Sequence, residues 1–298
     1  MHVVVSGASG FLGSALVPHL RAQGHRVTRL VRSPDDAPDA SLWDPRTGRI
    51  DQLLVDKADA VVNLSGSNIV HWPPTAAYRR ELLASRVDST TTLARAVAAS
   101  ASPAALINGS GMSYYGSDRG DEVLTEATQP VPGGFLPEVV HHWEHATQPA
   151  ADAGARVCLV RTTAAMHRDG SILGTILPIF RLGVGGRLGS GRQYMSMLSR
   201  TDWVRAATFL VEHDDVSGPF NFGMPNPPTN AEFTDALARA LHRPAKLPVP
   251  AFALRTAAGS LGNDLLGSLR LEPAALLKAG FAFEHTTLDA MFDDALNG

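Results

Sequence analysis

Apolar and polar positions alternate between two periods over the first half of the chain. Val3-Val4-Val5 is a short unbroken apolar run, and Ala15, Leu16, Val17 and Leu20 follow at helical spacing. Arg26 to Val31 reads as a second strand, Ser41-Leu42-Trp43 as a short third and Asp59 to Gly66 as a fourth that ends in a small-residue loop. From Tyr78 to Ala99, Leu82, Leu83, Val87, Leu93 and Val97 recur at helical spacing, with Arg79, Arg80, Arg86 and Arg95 between them. That is the pattern of an amphipathic helix covering a sheet. Ala104 to Ser110 is a fifth strand, 117–134 a polar Gly/Pro-rich loop, and Glu138 to Ala153 a helix that Pro149 should kink. Arg156 to Thr162 is a sixth strand.

Strict alternation stops there. Gly183 to Gly191 is a glycine segment expected to be flexible and to lie over or beside the site, and Gly218 to Gly223 reads as another strand. A helix from Asn230 to Ala240 should start with Asn230 as its N-cap. The expected fold is α/β: a Rossmann doubly wound parallel sheet with a smaller C-terminal substrate lobe. The expected division is 1–165, also receiving part of 200–225, against 166–298.

The first turn carries the chemistry. Gly7, Ser9, Gly10, Phe11, Leu12 and Gly13 lie in a G-x-x-G-x-x-G turn between an apolar strand and a helix. This is the context in which glycines allow close backbone approach to a pyrophosphate at a helix N-terminus. The second strand ends at Arg32-Ser33, and the first acids, Asp35 and Asp36, come only after Pro34. An arginine there suits a ribose 2′-phosphate, so Arg32, helped by Arg29 and Ser33, favours NADP(H) over NAD(H). Loops at the carboxyl ends of strands line the cofactor crevice, which assigns Asn63, Leu64, Ser65 and Gly66 to the adenosine and diphosphate side.

Composition narrows the class. The chain has 298 residues, 44% of them hydrophobic, with a formal net charge of -3. It can bury a large core, and its charge recommends neither nucleic acid nor an anionic membrane as partner. No apolar run approaches the ~18 residues of a membrane span, and no basic flank marks a signal peptide. The lone Cys158 sits in an apolar run, so no disulfide framework exists and a cytoplasmic location is expected.

Taken with Arg32-Ser33-Pro34, Trp43-Asp44-Pro45, Ser85-Arg86-Val87, Trp143-Glu144, Gly191-Arg192-Gln193 and Leu271-Glu272-Pro273, these motifs resemble one family nearly end to end. It is the extended short-chain dehydrogenase/reductase superfamily, and within it the atypical NAD-dependent epimerase/dehydratase-like oxidoreductases. The resemblance implies a Rossmann domain, NADP(H), and a short C-terminal domain over about 245–298. It also marks departures: Met197 and Ser199 stand where the family carries a tryptophan and a histidine, and Ser113 where it carries a glycine.

The superfamily's reaction centre is a Ser/Thr, a tyrosine and a lysine four residues after it. None of the four tyrosines, Tyr78, Tyr114, Tyr115 and Tyr194, has that lysine; the only lysines are Lys57, Lys246 and Lys278. Ser110 takes the place of the superfamily's serine and is expected to line the nicotinamide pocket. Tyr114 or Tyr115 either donates a hydrogen bond to a substrate oxygen or packs at the strand-to-loop corner. Arg161 and Thr162 are expected beside the nicotinamide carboxamide. His141, His142 and His145 diverge on their helix by ~100° per residue and suggest no metal site; they read as a solvated helix face, with one histidine or Glu144 as a proton carrier the alternative. Two functions remain open. One is an oxidoreductase or nucleotide-sugar epimerase-like enzyme acting on a small molecule; the other is a non-catalytic dinucleotide-binding sensor or scaffold. Monomer and homodimer are both compatible with the sequence.

Overall fold

The computed structural model describes residues 1–69, 75–252 and 266–298. Part of the expected C-terminal domain, 253–265, lies outside the described residues. One sheet gathers seven strands: β1 (His2–Ser6), β2 (Arg26–Val31), β3 (Ala40–Leu42), β4 (Ala60–Asn63), β5 (Ala105–Gly111), β7 (Val157–Thr162) and β10 (Gly218–Phe222). They run side by side in the order β10-β7-β5-β4-β1-β2-β3. β1 pairs in parallel with β2 and β4, β2 with β3, and β4 with β5. The order reverses at β1, the switch point of a doubly wound sheet, where a crevice opens at the strand carboxyl ends. Every residue of β1 and β4 is buried, as strands covered on both faces require.

The chain divides into two compact units. The first comprises 1–111, 138–160 and 204–219; the second comprises 112–137, 161–203 and 220–298. This division places 204–219 with the first unit and 112–137 with the second. In the first unit, α1 (Gly13–Ala22), α2 (Gln52–Asp56), α3 (Ala76–Ala99), α4 (Phe135–His145), α5 (Gln148–Asp152) and α7 (Arg200–Glu212) contribute wholly or in part. Its core gathers Val4, Leu30, Trp43, Val61, Leu93, Val97 and Leu106.

The second unit packs α6 (Ser171–Arg181), α8 (Asn230–Ala240) and α10 (Leu288–Asn297) around Met166, Phe180, Phe233 and Phe292. The short α9 (Ala274–Lys278) precedes the last of these and buries Leu276. Two small parallel pairs complete the unit. β8 (Ala164–Met166) lies beside β9 (Met197–Ser199), and β6 (Val123–Leu124) beside β11 (Arg270–Leu271).

Four local expectations change. The helix expected over 138–153 is two helices, because Pro149 lies in the first turn of α5, where its missing N–H costs nothing. The N-cap of α8 is Thr229, one residue earlier than Asn230: its hydroxyl accepts from the Glu232 amide, and Glu232 returns the bond in a capping box. Asn230 instead accepts the Leu188 amide at 2.7 Å. Within the expected loop 117–134, Val123–Leu124 forms a strand. The glycine segment is tied down: Gly189 donates to Val249 and Val249 donates to Arg187, both at 2.9 Å.

Candidate functional site

The glycine turn is built around two close backbone approaches. Gly7 has φ +68°, and a Cβ there would stand 2.5 Å from the Leu64 carbonyl oxygen. A Cβ on Gly13 would stand 2.2 Å from the Gly7 oxygen. Gly10 closes the turn by donating to the Gly7 carbonyl at 3.0 Å. Helix α1 then begins at Gly13, with Leu12 as an N-cap residue whose side chain makes no capping bond and with no acidic residue in its first turn. A helix start left without a cap and without negative charge, reached by bare backbone, is what an incoming diphosphate requires. The residues present therefore fit the cofactor they suggest.

Asn63 fixes the facing loop. Its carbonyl oxygen accepts from the Ser6 hydroxyl at 2.7 Å and the Ser65 amide at 3.2 Å. Its amide donates to Thr90 at 2.9 Å and to Asn108 at 2.7 Å. One fully buried side chain thus joins β1, β5, α3 and the Leu64-Ser65-Gly66 loop. The sequence assigns Asn63 to the cofactor side; the structure turns its side chain inward, onto Ser6, Thr90 and Asn108.

At the end of β2 the two arginines separate. Arg29 forks onto Asp39, with Nε–Oδ2 at 2.7 Å and Nη2–Oδ1 at 2.9 Å, and also reaches Asp35 at 3.3 Å. This ion pair raises the guanidinium pKa and holds the Asp39 carboxyl far below the usual carboxylate range. Arg29 is therefore occupied and is no helper to Arg32. Arg32 and Ser33 are exposed, and Arg32 forms no ion pair among the described residues.

At the end of β5, the buried Ser110 hydroxyl donates to the Glu144 carboxylate of α4 at 2.6 Å. Beside it, Trp143 covers Gly109 so closely that a Cβ there would lie 2.9 Å from the ring. Arg86 of α3 places its guanidinium carbon 5.0 Å from the centre of the same indole. The sequence pattern places it among the arginines between the apolar positions of an amphipathic helix, yet it is only 6% exposed. The signal is present: Leu82, Arg86, Thr90, Leu93 and Val97 share one helical stripe, and that stripe is buried.

The second unit holds the remaining candidates. Tyr115 is fully buried; its hydroxyl donates to Asn221 at 2.7 Å and accepts from Arg161 at 3.0 Å. Burial raises its pKa. The Arg161 guanidinium lies 3.3 Å over the Tyr114 ring. The Thr162 hydroxyl accepts the Trp203 indole N–H at 3.1 Å. Ser199 caps α7 by accepting the Asp202 amide at 2.9 Å, and also bonds His285 at 2.9 Å. Among the described residues no three His, Cys, Asp or Glu side chains gather as a metal site. No described helix is long and apolar enough to cross a membrane.

A sheet that reverses order at a strand followed by a glycine turn defines an α/β fold of the Rossmann type. Residues 3–223 match the model of the NAD dependent epimerase/dehydratase family, and 249–295 match a domain of unknown function (DUF1731). The chain belongs to the NAD dependent epimerase/dehydratase family. An epimerase family protein of Mycobacterium bovis is 43% identical, over 96% of this chain and 94% of its own length. The crystal structure of human epimerase family protein SDR39U1 with NADPH is 30% identical. It covers 99% of both chains, with a TM-score of 0.89. UDP-glucuronic acid 4-epimerase from Bacillus cereus in complex with NAD shares the fold. Its TM-score is 0.74 at 16% identity, over 99% of this chain and 96% of that one.

Proposed function

We propose that the protein is an NADP(H)-dependent oxidoreductase, epimerisation by removal and return of a hydride included, in which Ser110 and Glu144 handle the proton. The observation that carries the reading is the 2.6 Å hydrogen bond from Ser110 to Glu144 at the carboxyl end of β5. Gly7, Ser9, Gly10, Phe11, Leu12 and Gly13 would hold the diphosphate, and Leu64, Ser65 and Gly66 would border it. Arg32 and Ser33 would meet the 2′-phosphate, which favours NADP(H); the human relative named above is described with NADPH. When bound, the nicotinamide gives or takes a hydride.

The chain's own task is the proton. Glu144 fixes the Ser110 O–H and leaves the Oγ lone pairs for a substrate hydroxyl. In the oxidising direction the substrate proton passes to Ser110 as the Ser110 proton passes to Glu144; in the reducing direction both return. This arrangement would take over the task of a tyrosine–lysine pair, since no tyrosine here has a lysine four residues after it.

The test follows absorbance at the nicotinamide band while a panel of carbonyl compounds and nucleotide sugars is added to protein with NADPH. Oxidation by any of them, slowed ~10²-fold or more in Ser110→Ala and Glu144→Gln with NADPH binding intact, supports the enzyme. A second reading, a dinucleotide-binding sensor, is favoured by the absence of a lysine four residues after any tyrosine. Tight NADPH binding with no turnover across the panel would select it.

A further inference from the structure

Arg86 is a buried cation whose charge meets no carboxylate among the described residues, the Tyr78 hydroxyl being the neighbour that acts on it. Its guanidinium makes one hydrogen bond, Nη1 to the Leu82 carbonyl at 3.1 Å, and no ion pair among the described residues. Burial pulls its pKa down to about 10, so it is still a cation at neutral pH. An uncompensated buried charge is destabilising, and the Trp143 ring offsets part of that cost as a cation–π partner without accepting a hydrogen bond. The indole adds to the imbalance, because its Nε1 is buried with no hydrogen-bond partner among the described residues. Two groups that can only donate therefore lie side by side with one acceptor between them, the Leu82 carbonyl that takes a single guanidinium N–H.

Their place in the fold suggests what completes them. Arg86 lies directly beneath Gly66, where a Cβ would stand 3.1 Å from the guanidinium carbon, and Gly66 itself is exposed. The loop is pinned at both sides, by Asn63 to Ser65 and by Ser85 to the Ser67 amide at 3.1 Å. Trp143 precedes Glu144, the partner of Ser110. We propose that Arg86 and Trp143 form a binding site for an oxyanion, a carboxylate or phosphate carried by the substrate or the cofactor, at the carboxyl end of β4. The planar guanidinium matches such a group with paired N–H donors, and the indole N–H supplies a further one. The proposal rests on the dinucleotide reading only for which molecule delivers the oxyanion.

The test uses the full chain without dinucleotide, melted in sodium chloride, sodium phosphate or sodium acetate at equal ionic strength. The expected result is a midpoint several degrees higher in phosphate or acetate than in chloride. Arg86→Met should melt in chloride at or above the wild type, since it removes an unpaired charge, and should not respond to oxyanions. Trp143→Phe keeps the ring and loses the N–H, so its response should shrink. A wild type indifferent to both oxyanions overturns the proposal. So does an Arg86→Met protein that melts several degrees lower in chloride and responds as the wild type does. If Arg86→Met does not fold, Trp143→Phe decides alone, and an undiminished response overturns the proposal.

Calorimetry with NADPH separates the sources. A cofactor group predicts at least tenfold weaker NADPH binding to Arg86→Met, or to Trp143→Phe in its stead, and an oxyanion response abolished by NADPH. A substrate group predicts unchanged NADPH affinity and a response that survives on NADPH-loaded protein. Failure of NADPH to bind, with the oxyanion response intact, would sink the proposed function and leave this site standing.

Discussion

Replacing Gly7 by alanine tests the glycine turn in two separable ways. An L residue at φ +68° costs ~1–2 kcal/mol from backbone sterics alone. The new Cβ would also meet the Leu64 oxygen at 2.5 Å and its carbon at 2.6 Å, where ordinary contact begins at 3.4 Å. The loop must open by about 0.9 Å, and the Asn63–Ser65 bond resists it. Forced overpacking of this size costs ~1–3 kcal/mol. At about 2 °C per kcal/mol for a chain this long, Gly7→Ala should melt roughly 4–10 °C lower.

Gly24 supplies the control. It has φ +85°, and nothing lies within 4 Å of where an added methyl would stand, so Gly24→Ala bears only the backbone penalty. Differential scanning fluorimetry should place it about 2–4 °C below the wild type. Calorimetry should show NADPH binding at least tenfold weaker for Gly7→Ala and unchanged for Gly24→Ala. Equal midpoints for the two variants, or unchanged NADPH affinity in Gly7→Ala, would refute the reasoning.

Three further outcomes follow from other sites. Arg32→Ala should weaken NADPH by about 5–30-fold at low salt, shrinking as salt is added, and leave NADH alone; equal losses for both would exclude a 2′-phosphate contact. Asp39 has its pKa depressed by Arg29, so its stabilising contribution is complete above the unfolded value of about 4 and is lost as pH falls below it. Urea titrations should therefore show Asp39→Asn weaker than the wild type at pH 7, with the gap closing toward pH 2; a gap independent of pH would count against the pair. Burial pushes the Cys158 thiol up to about 11, so a disulfide reagent at pH 8 should react with it only after denaturation. Rapid reaction of the native protein would contradict that placement.

The centre of the sheet is legible because β1 and β4 are short apolar runs, each followed by a glycine or small-residue turn. The glycine turn could be read for the same reason: Gly7 and Gly13 are needed where backbone meets backbone, and no other residue fits. What escaped were properties of partners distant in sequence. Arg29 looks free beside Arg32 until Asp39 comes round to meet it. Arg86 looks like one more arginine of a surface helix, because spacing shows which residues share a stripe but not how deep that stripe lies. The capping residue of α8 slips by one position because threonine and asparagine stand side by side, and only hydrogen bonding tells them apart.

The β6–β11 pairing carries a practical lesson for anyone dividing the chain. The two family matches leave a gap between 223 and 249, which invites cutting the protein there. Yet Leu271 packs with Leu124 and Tyr115, and the Asn221 side chain donates to both Leu124 and Glu272. A fragment ending at the gap would bare the edge of Val123–Leu124 and take the Glu272 acceptor away from Asn221. Such a truncation is expected to yield an aggregating product instead of an independent module, so the border between the matched regions is a bookkeeping line that the folded molecule ignores.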